Sequence, residues 1–306
     1  MEDNRGLADV RRKTRRTQRQ REGSKPVAVR REQENKRKEN KREKQDEMPK
    51  KPAKETAKVM SKVAAKSREE SPAQKTPNWP ALRPLPPTSD LCLTPILPSQ
   101  IYIIRNLFSS ALCKTYISFL TSLPLITTPG RPKKDEALRV NDRFQVDDAS
   151  FAELLWSGTG LKELVCSSAS QSEDEDDGEK VDWDGEVLGL NPNIRIYRYT
   201  KGQFFGQHYD ESVQVMHGTP PVKARTSWTL LIYLSTCSGG ETAFYPEPGP
   251  GSKKGKAQSQ PEPVVVGMET GMALLHRHGD ECLLHEGREV TGGEKWVIRS
   301  DLVVRR

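Results

Sequence analysis

The chain has 306 residues, 34% of them hydrophobic and 30% charged, which is thin apolar content for a chain folded along its whole length. The formal charge of +7 is uneven: residues 1–80 carry 25 Lys+Arg against 13 Asp+Glu, and residues 81–306 carry 24 against 29. The basic character belongs to the first quarter and gives no ground for reading the main domain as a nucleic-acid binder.

Residues 1–75 read as a disordered basic tail. Stretches such as RRKTRRTQRQR and NKRKENKREK hold almost no large apolar side chains to offset the entropy of ordering them. Weak nucleic-acid contact or nuclear import suits such a tail. Met1 to Arg31 lacks the apolar stretch of a secretory signal, and no apolar run reaches the ~18 residues of a membrane span. A cytoplasmic or nuclear location, away from membranes, is therefore expected. Cys92, Cys113, Cys166, Cys237 and Cys282 are odd in number and form no CxxC. That argues against a disulfide framework or a structural zinc site and suits a reducing compartment.

Residues 76–100, rich in proline, read as an extended linker. IYIIRNLF from 101 is a short strand-like run. SSALCKTYISFLTSL follows, with Ser109 or Ser110 as a cap and apolar Leu112, Tyr116, Phe119 and Leu120 at helical spacing, so a helix is expected near 109–122. Asp148 is a candidate cap for a second helix over 149–156. An acidic insertion at 168–185 reads as a surface loop. Beyond it come NIRIYRY, SWTLLIYLS, EPVVVG, GMALLHRH, ECLLH and KWVIRSDLVV, short β segments between Gly- and Pro-rich connectors. Many short strands with turn signals suggest a sandwich, barrel or jelly roll.

Among the five histidines, His208 is distinctive, because Asp210 follows two residues later. On an extended segment such residues share a face, so an imidazole and a carboxylate converge. A third ligand from another strand would complete two His and one carboxylate on one side of a metal. That arrangement leaves open positions and suits non-heme Fe(II). By itself HxD is a common pattern with no function.

Three blocks change its weight: YTKGQFFGQHYD, TSWTLLIYLSTCSGGETAFYP and LLHEGREVTGGEKW. Together, over roughly 101–306, they resemble the prolyl 4-hydroxylase-like branch of the Fe(II)/2-oxoglutarate-dependent dioxygenases. That family places Val, Gly and a basic residue 5, 8 and 10 positions after its distal histidine. His285 is followed by Val290, Gly293 and Lys295 at those spacings, whereas His278 is followed by Leu283, Glu286 and Arg288.

The resemblance implies a mainly β domain with flanking helices, a double-stranded β-helix (jelly roll, cupin-like) over 101–306. It implies Fe(II) held by His208, Asp210 and His285, 2-oxoglutarate as cosubstrate, ascorbate as reductant, and hydroxylation of a C–H bond on a protein substrate with release of succinate and CO2. Lys295 would anchor the distal carboxylate of 2-oxoglutarate, because a buried carboxylate needs a cation. Arg299, four residues on and on the same face of an extended segment, is the next candidate. Tyr199 and Tyr233 would lie near the same cosubstrate. His278 is expected as a decoy, His276 as packing or support behind the ligands, and His217 as exposed. Gly239 and Gly240 form a turn. Asn141, Arg143 and Asp147 fall in a segment that the family places at the active-site mouth, with their role open.

The acidic insertion, the Gly/Lys stretch at 249–260 and the lack of a signal sequence depart from the family. They point away from collagen-type substrates toward an intracellular protein. Other readings are an oxidative demethylase of alkylated nucleic acid, favoured by Arg299 and Arg305 at R-x5-R, and an inactive oxygenase-fold scaffold. The scaffold reading predicts a missing ligand, and none is missing. A zinc hydrolase would offer HExxH, which the sequence lacks.

Overall fold

The computed structural model describes residues 75–128, 137–170, 180–247 and 261–305. The expected disordered tail lies outside the described residues, apart from its last position, as do the centre of the acidic insertion and the Gly/Lys stretch.

In chain order the strands are β1 (Thr94–Leu97), β2 (Ile101–Ile104), β3 (Ile126–Thr127), β4 (Arg139–Val140), β5 (Asp142–Asp147), β6 (Glu186–Leu190), β7 (Asn193–Tyr199), β8 (Phe204–His208), β9 (Gln214–His217), β10 (Val222–Tyr233), β11 (Cys237–Gly239), β12 (Thr242–Tyr245), β13 (Val264–Val266), β14 (Ala273–Arg277), β15 (Leu284–Gly287), β16 (Val290–Gly293) and β17 (Lys295–Arg305). Three helices interrupt the first part: α1 (Ser110–Leu120), α2 (Ala149–Gly158) and α3 (Leu161–Ser170).

The larger sheet runs β1-β2-β14-β10-β17-β7-β5-β3, with β6 added to β17 and β9 to β10. The smaller sheet runs β13-β12-β15-β8-β4, and β11 pairs β16. Pairing is antiparallel throughout both sheets. The expected jelly roll is the fold found.

The central strands show how sequence builds this sandwich. β17 is buried along almost its whole length, so its two faces meet different neighbours. Trp296, Ile298 and Leu302 join the apolar layer that also contains Leu112, Tyr116 and Phe151 of the helices. Val297 joins a second layer with Tyr197, Tyr199, Phe244 and Val290. That second layer draws on both sheets, so it is the interior of the jelly roll. Lys295, Val297 and Arg299 share this inner face by the period of two. One face of β17 glues sheet to helices, while the other carries the polar groups.

The helices start where capping chemistry allows. The Leu112 N–H donates to Ser109 Oγ at 3.2 Å, and the Phe151 N–H donates to Asp148 Oδ1 at 2.9 Å. Both satisfy amides left open at a helix start. α2 reaches Gly158, two residues past the expected end, and α3 was not foreseen.

Two expectations are corrected by packing. The segment 76–100 is no free linker: Trp79 stacks on Phe151 at 4.0 Å and donates its indole N–H to Asp148. Leu82 and Leu91 are buried, and β1 pairs β2. The proline spacing hid these few apolar anchors. The acidic insertion also has structured ends: α3 occupies its start, and Trp183 is buried, with its indole N–H donated to the Val165 carbonyl.

Candidate metal centre

β8 ends at His208, and Asp210 follows on the segment leaving the smaller sheet. β15 runs antiparallel to β8 with His285 directly opposite His208. The two imidazole centroids are 4.2 Å apart. His208 Nε2 lies 3.7 Å from Asp210 Oδ1, and His285 Nε2 lies 3.7 Å from Asp210 Oδ2. One ligand atom from each of the three residues falls within 4.8 Å of the others. Two strands and one chain reversal thus bring together residues 77 positions apart in sequence.

The far side of each ring fixes its tautomer. His208 Nδ1 is 2.8 Å from the Gly206 carbonyl, and His285 Nδ1 is 2.9 Å from the Leu283 carbonyl. A carbonyl only accepts, so Nδ1 carries the hydrogen and Nε2 turns a lone pair toward Asp210. This is the arrangement that ligates a metal. Burial holds His208 down at about 3, so it stays neutral. Burial also lowers His285, but hydrogen bonds to Asp210 and Cys282 outweigh it and raise the ring to about 9. Without a cation, a proton takes the place beside Asp210. The donor set, two neutral-capable imidazoles and one carboxylate, fits Fe(II).

Asp210 is itself held. Thr229 Oγ1 donates to its Oδ2 at 2.9 Å, and the Arg299 guanidinium sits 2.9 Å from the same oxygen. Arg299 also lies 3.5 Å from Asp301, which in turn pairs with Arg195 and accepts from Asn191. Burial raises the Asp210 carboxyl, but the Arg299 charge wins and holds it well below the usual carboxylate range. Asp210 therefore enters the site as a carboxylate, oriented before any metal arrives.

The remaining histidines separate clearly. His278 is buried, with hydrogen bonds to Thr229 and Thr226, and takes no part in the ligand cluster. His276, on β14, is buried and reaches to 3.7 Å from Asp210 Oδ2, so it lines the same cavity. His217 was expected to be exposed but is half-buried on β9, with Gly189 close against its ring.

Lys295 points into the jelly roll, where it lines the cavity together with Tyr199, Arg299 and the ligand cluster. It is 5% exposed. Its ammonium donates to the Gly240 carbonyl at 2.7 Å. The Tyr199 and Tyr233 ring centroids lie 5.5 and 5.4 Å from it. Among the described residues no carboxylate stands within ion-pair distance of Lys295. An ammonium has three donors, and the carbonyl takes one. Burial lowers Lys295 to about 8, against the opposing pull of Cys237 and Glu241. The expected Gly239–Gly240 turn is present, with φ of +70° and +76°. At Gly240 this left-handed geometry aims the carbonyl at Lys295.

Tyr199 lines the cavity. Tyr233 does not: it is fully buried, and its hydroxyl is engaged with Thr242 at 2.8 Å. It sits behind Lys295 as part of the core. Burial pushes both phenols up, so both stay neutral.

Residues 194–300 match the family model described as the 2OG-Fe(II) oxygenase superfamily. No curated protein matches the chain in sequence. Among solved structures, the chain is similar to the viral collagen prolyl hydroxylase vCPH of Paramecium Bursaria Chlorella virus-1, with 17% identity over 67% of this chain and 97% of that one, at TM-score 0.41. It is also similar to a Pseudomonas putida prolyl-4-hydroxylase, with 12% identity over 68% and 94%, at TM-score 0.44. HygX from Streptomyces hygroscopicus, with nickel and 2-oxoglutarate bound, shares 15% identity over 67% and 83%, at TM-score 0.39. These likenesses are distant, and the oxygenase reading rests on the site.

The domain holds groups that motif spacing missed or left unassigned. Tyr197 and Thr229 fall in runs that read as strands, whereas Phe205 and Thr242 do not, and all four gain their places only from sheet pairing. Arg299 was marked as an alternative anchor, yet it bonds the ligand carboxylate instead. Among the described residues no helix is long and apolar enough to cross a membrane.

Proposed function

We propose that the protein is an Fe(II)- and 2-oxoglutarate-dependent dioxygenase that hydroxylates a C–H bond on a protein substrate, in the manner of prolyl hydroxylases. The carrying observation is Lys295, a buried cation with no carboxylate partner among the described residues, facing the same cavity as the His208–Asp210–His285 cluster. A dicarboxylate that reaches both ends satisfies each. His208, Asp210 and His285 would hold Fe(II), and Lys295 would take the distal carboxylate of 2-oxoglutarate with Tyr199 beside it. Bound together, Fe(II) and 2-oxoglutarate would activate O2, which is the oxidant: one oxygen atom would go to succinate, formed with CO2 from 2-oxoglutarate, and the other to the hydroxylated carbon. Ascorbate as reductant rests on the family resemblance alone. This chain's share is to orient Asp210 through Arg299 and Thr229, to keep both ligand rings in one tautomer, and to exclude water with its apolar inner layer. A protein substrate is favoured because one solved relative, a Trichoplax adhaerens prolyl hydroxylase, is in complex with a peptide fragment of hypoxia inducible factor.

The test is a 2-oxoglutarate titration of Fe(II)-loaded protein without O2, followed through the metal-to-ligand absorption band. Lys295→Ala leaves a buried carboxylate without its cation, at a cost of about 3–5 kcal/mol. Affinity should fall by roughly two to three orders of magnitude, while Fe(II) still binds. His208→Ala, Asp210→Ala and His285→Ala should each lose Fe(II). His278→Ala should keep it but lose about 1–3 kcal/mol of stability through its two orphaned hydroxyl partners. An unchanged titration in Lys295→Ala would move the anchor elsewhere.

A further inference from the structure

The mouth of the cavity carries charge that the fold does not use. Every described arginine except Arg83, Arg139 and Arg143 lies within ion-pair distance of a carboxylate. Arg139 and Arg143 flank the cavity, while Arg83 lies far along the chain in the N-terminal segment.

Their placement is set by the backbone. Residues 139–143 cross from the smaller sheet to the larger one, as β4 and then β5. Arg139 is paired with Phe205 of β8, and its guanidinium lies over the Phe205 ring at 4.9 Å. Phe205 in turn stacks on the metal-ligand candidate His208 at 3.6 Å. Arg143 is paired with Tyr197 of β7. Phe205 and Tyr197 both line the cavity. Each arginine thus neighbours a residue that lines the cavity, one on each sheet.

Among the described residues, neither has a counter-ion within ion-pair distance. Asp142, between them, is taken by Arg198 and Thr127. Among the described residues, Arg143 donates only to the neutral Gln145 carbonyl oxygen. Burial, and after it the charges of Arg139 and Arg195, lower the Arg143 guanidinium, with Tyr197 acting the other way. Gathering unpaired cations costs free energy that folding does not return.

The loaded centre would not neutralise them. A divalent metal and a dicarboxylate cancel each other. Arg299 and Arg195 cancel Asp210 and Asp301. Lys295, Arg139 and Arg143 remain as excess positive charge around the reacting space. Residues 81–306 taken together are net negative, with 24 Lys+Arg against 29 Asp+Glu. A polyphosphate backbone needs an extended basic track, and among the described residues the only arginines unpaired beside the cavity are Arg139 and Arg143. A single anionic group beside the reacting C–H bond fits.

We propose that Arg139 and Arg143 form a subsite for an oxyanion on the polypeptide substrate, an acidic side chain close to the hydroxylated residue. The proposal rests on the oxygenase reading above and specifies its substrate class. Each guanidinium offers the planar fork that grips a carboxylate or phosphate through two hydrogen bonds.

The test uses the full chain loaded with Mn(II) and 2-oxoglutarate. The probes are short fluorescent proline-containing peptides of one scaffold, bearing Glu, phosphoserine, Ala or Lys beside the proline. The wild-type protein is expected to bind an acidic peptide about tenfold or more tightly than the Ala or Lys peptides, with the gap closing in high salt. Arg143→Gln and Arg139→Gln should each remove most of that preference without weakening the Ala peptide, and Arg143→Lys should restore part of it. Glu against phosphoserine identifies the source of the oxyanion. Wild-type protein with no acidic preference, including no binding of any peptide, overturns the proposal. So does equal weakening of acidic and neutral peptides in both Gln variants, or arginine-dependent binding of a single-stranded oligonucleotide instead. If wild-type protein takes up neither Mn(II) nor 2-oxoglutarate, the oxygenase reading itself fails. A failure confined to peptide preference leaves that reading standing.

Discussion

Lys295 shows how one burial sets a pH response. Its ammonium is lowered from 10.5 to about 8 because burial penalises the charge. The unfolded chain therefore binds a proton between these values where the folded domain does not, so this group's contribution to stability rises with pH through that window. Cosubstrate binding runs the other way. The distal carboxylate needs the charged form, which predominates below about 8, and an incoming carboxylate pulls the proton back on. The affinity for 2-oxoglutarate should be flat below that value and then fall up to about tenfold per pH unit above it. Isothermal titration of Mn(II)-loaded protein across pH 7 to 10, roughly the span of this shift, would show the fall with proton uptake at the upper end. A flat profile with no proton uptake would place the carboxylate away from Lys295. Arg299 cannot produce such a profile, because the adjacent Asp210 and Asp301 keep it charged.

Among the elements, the stretch before β1 is the least expected. Trp79 stacks on Phe151 of α2 and donates to the Asp148 cap, so one side chain ties the N-terminal segment to the start of a helix. Removing the stack and the hydrogen bond should cost about 2 kcal/mol. Trp79→Ala should lower the thermal midpoint by about 4–8 °C for a domain of this size, with metal binding retained. A midpoint within a degree of wild type would mean the segment rests on the domain without supporting it. The strands tell the opposite story. β7 spans the NIRIYRY run read from sequence, and β17 contains the last apolar run. β8, β9 and β12 were not anticipated, because they are short and partly polar and owe their form to partners.

For the whole molecule, the site links folding to loading. Asp210 and the two imidazoles converge only when β8 and β15 pair, so the unfolded chain offers no such cluster. A ligand that binds only the folded state stabilises it by about 2.7 kcal/mol at a hundredfold excess over its dissociation constant. Adding Mn(II) and 2-oxoglutarate together should therefore raise the thermal midpoint by about 5–11 °C. Asp210→Ala should abolish the rise. Equal shifts in wild type and Asp210→Ala would mean that the ions act elsewhere.

The ligand triad was legible because it is written in short range and in spacing: His208 and Asp210 sit two apart on an extended run, and His285 stands ten before Lys295. The β-rich jelly roll followed from the same resemblance and from the apolar strand runs. Tertiary structure alone decided the partnerships. Arg299 and Lys295 are equivalent in sequence, two cations on one strand face, yet cross-strand pairing set Thr229 and Asp210 beside one and the Gly240 carbonyl beside the other. Tyr199 and Tyr233 likewise share a residue type, but only one strand turns its ring to the cavity. Spacing along a chain says which face a side chain takes; what lies across that face depends on which strands pair, and that is settled only when distant segments meet.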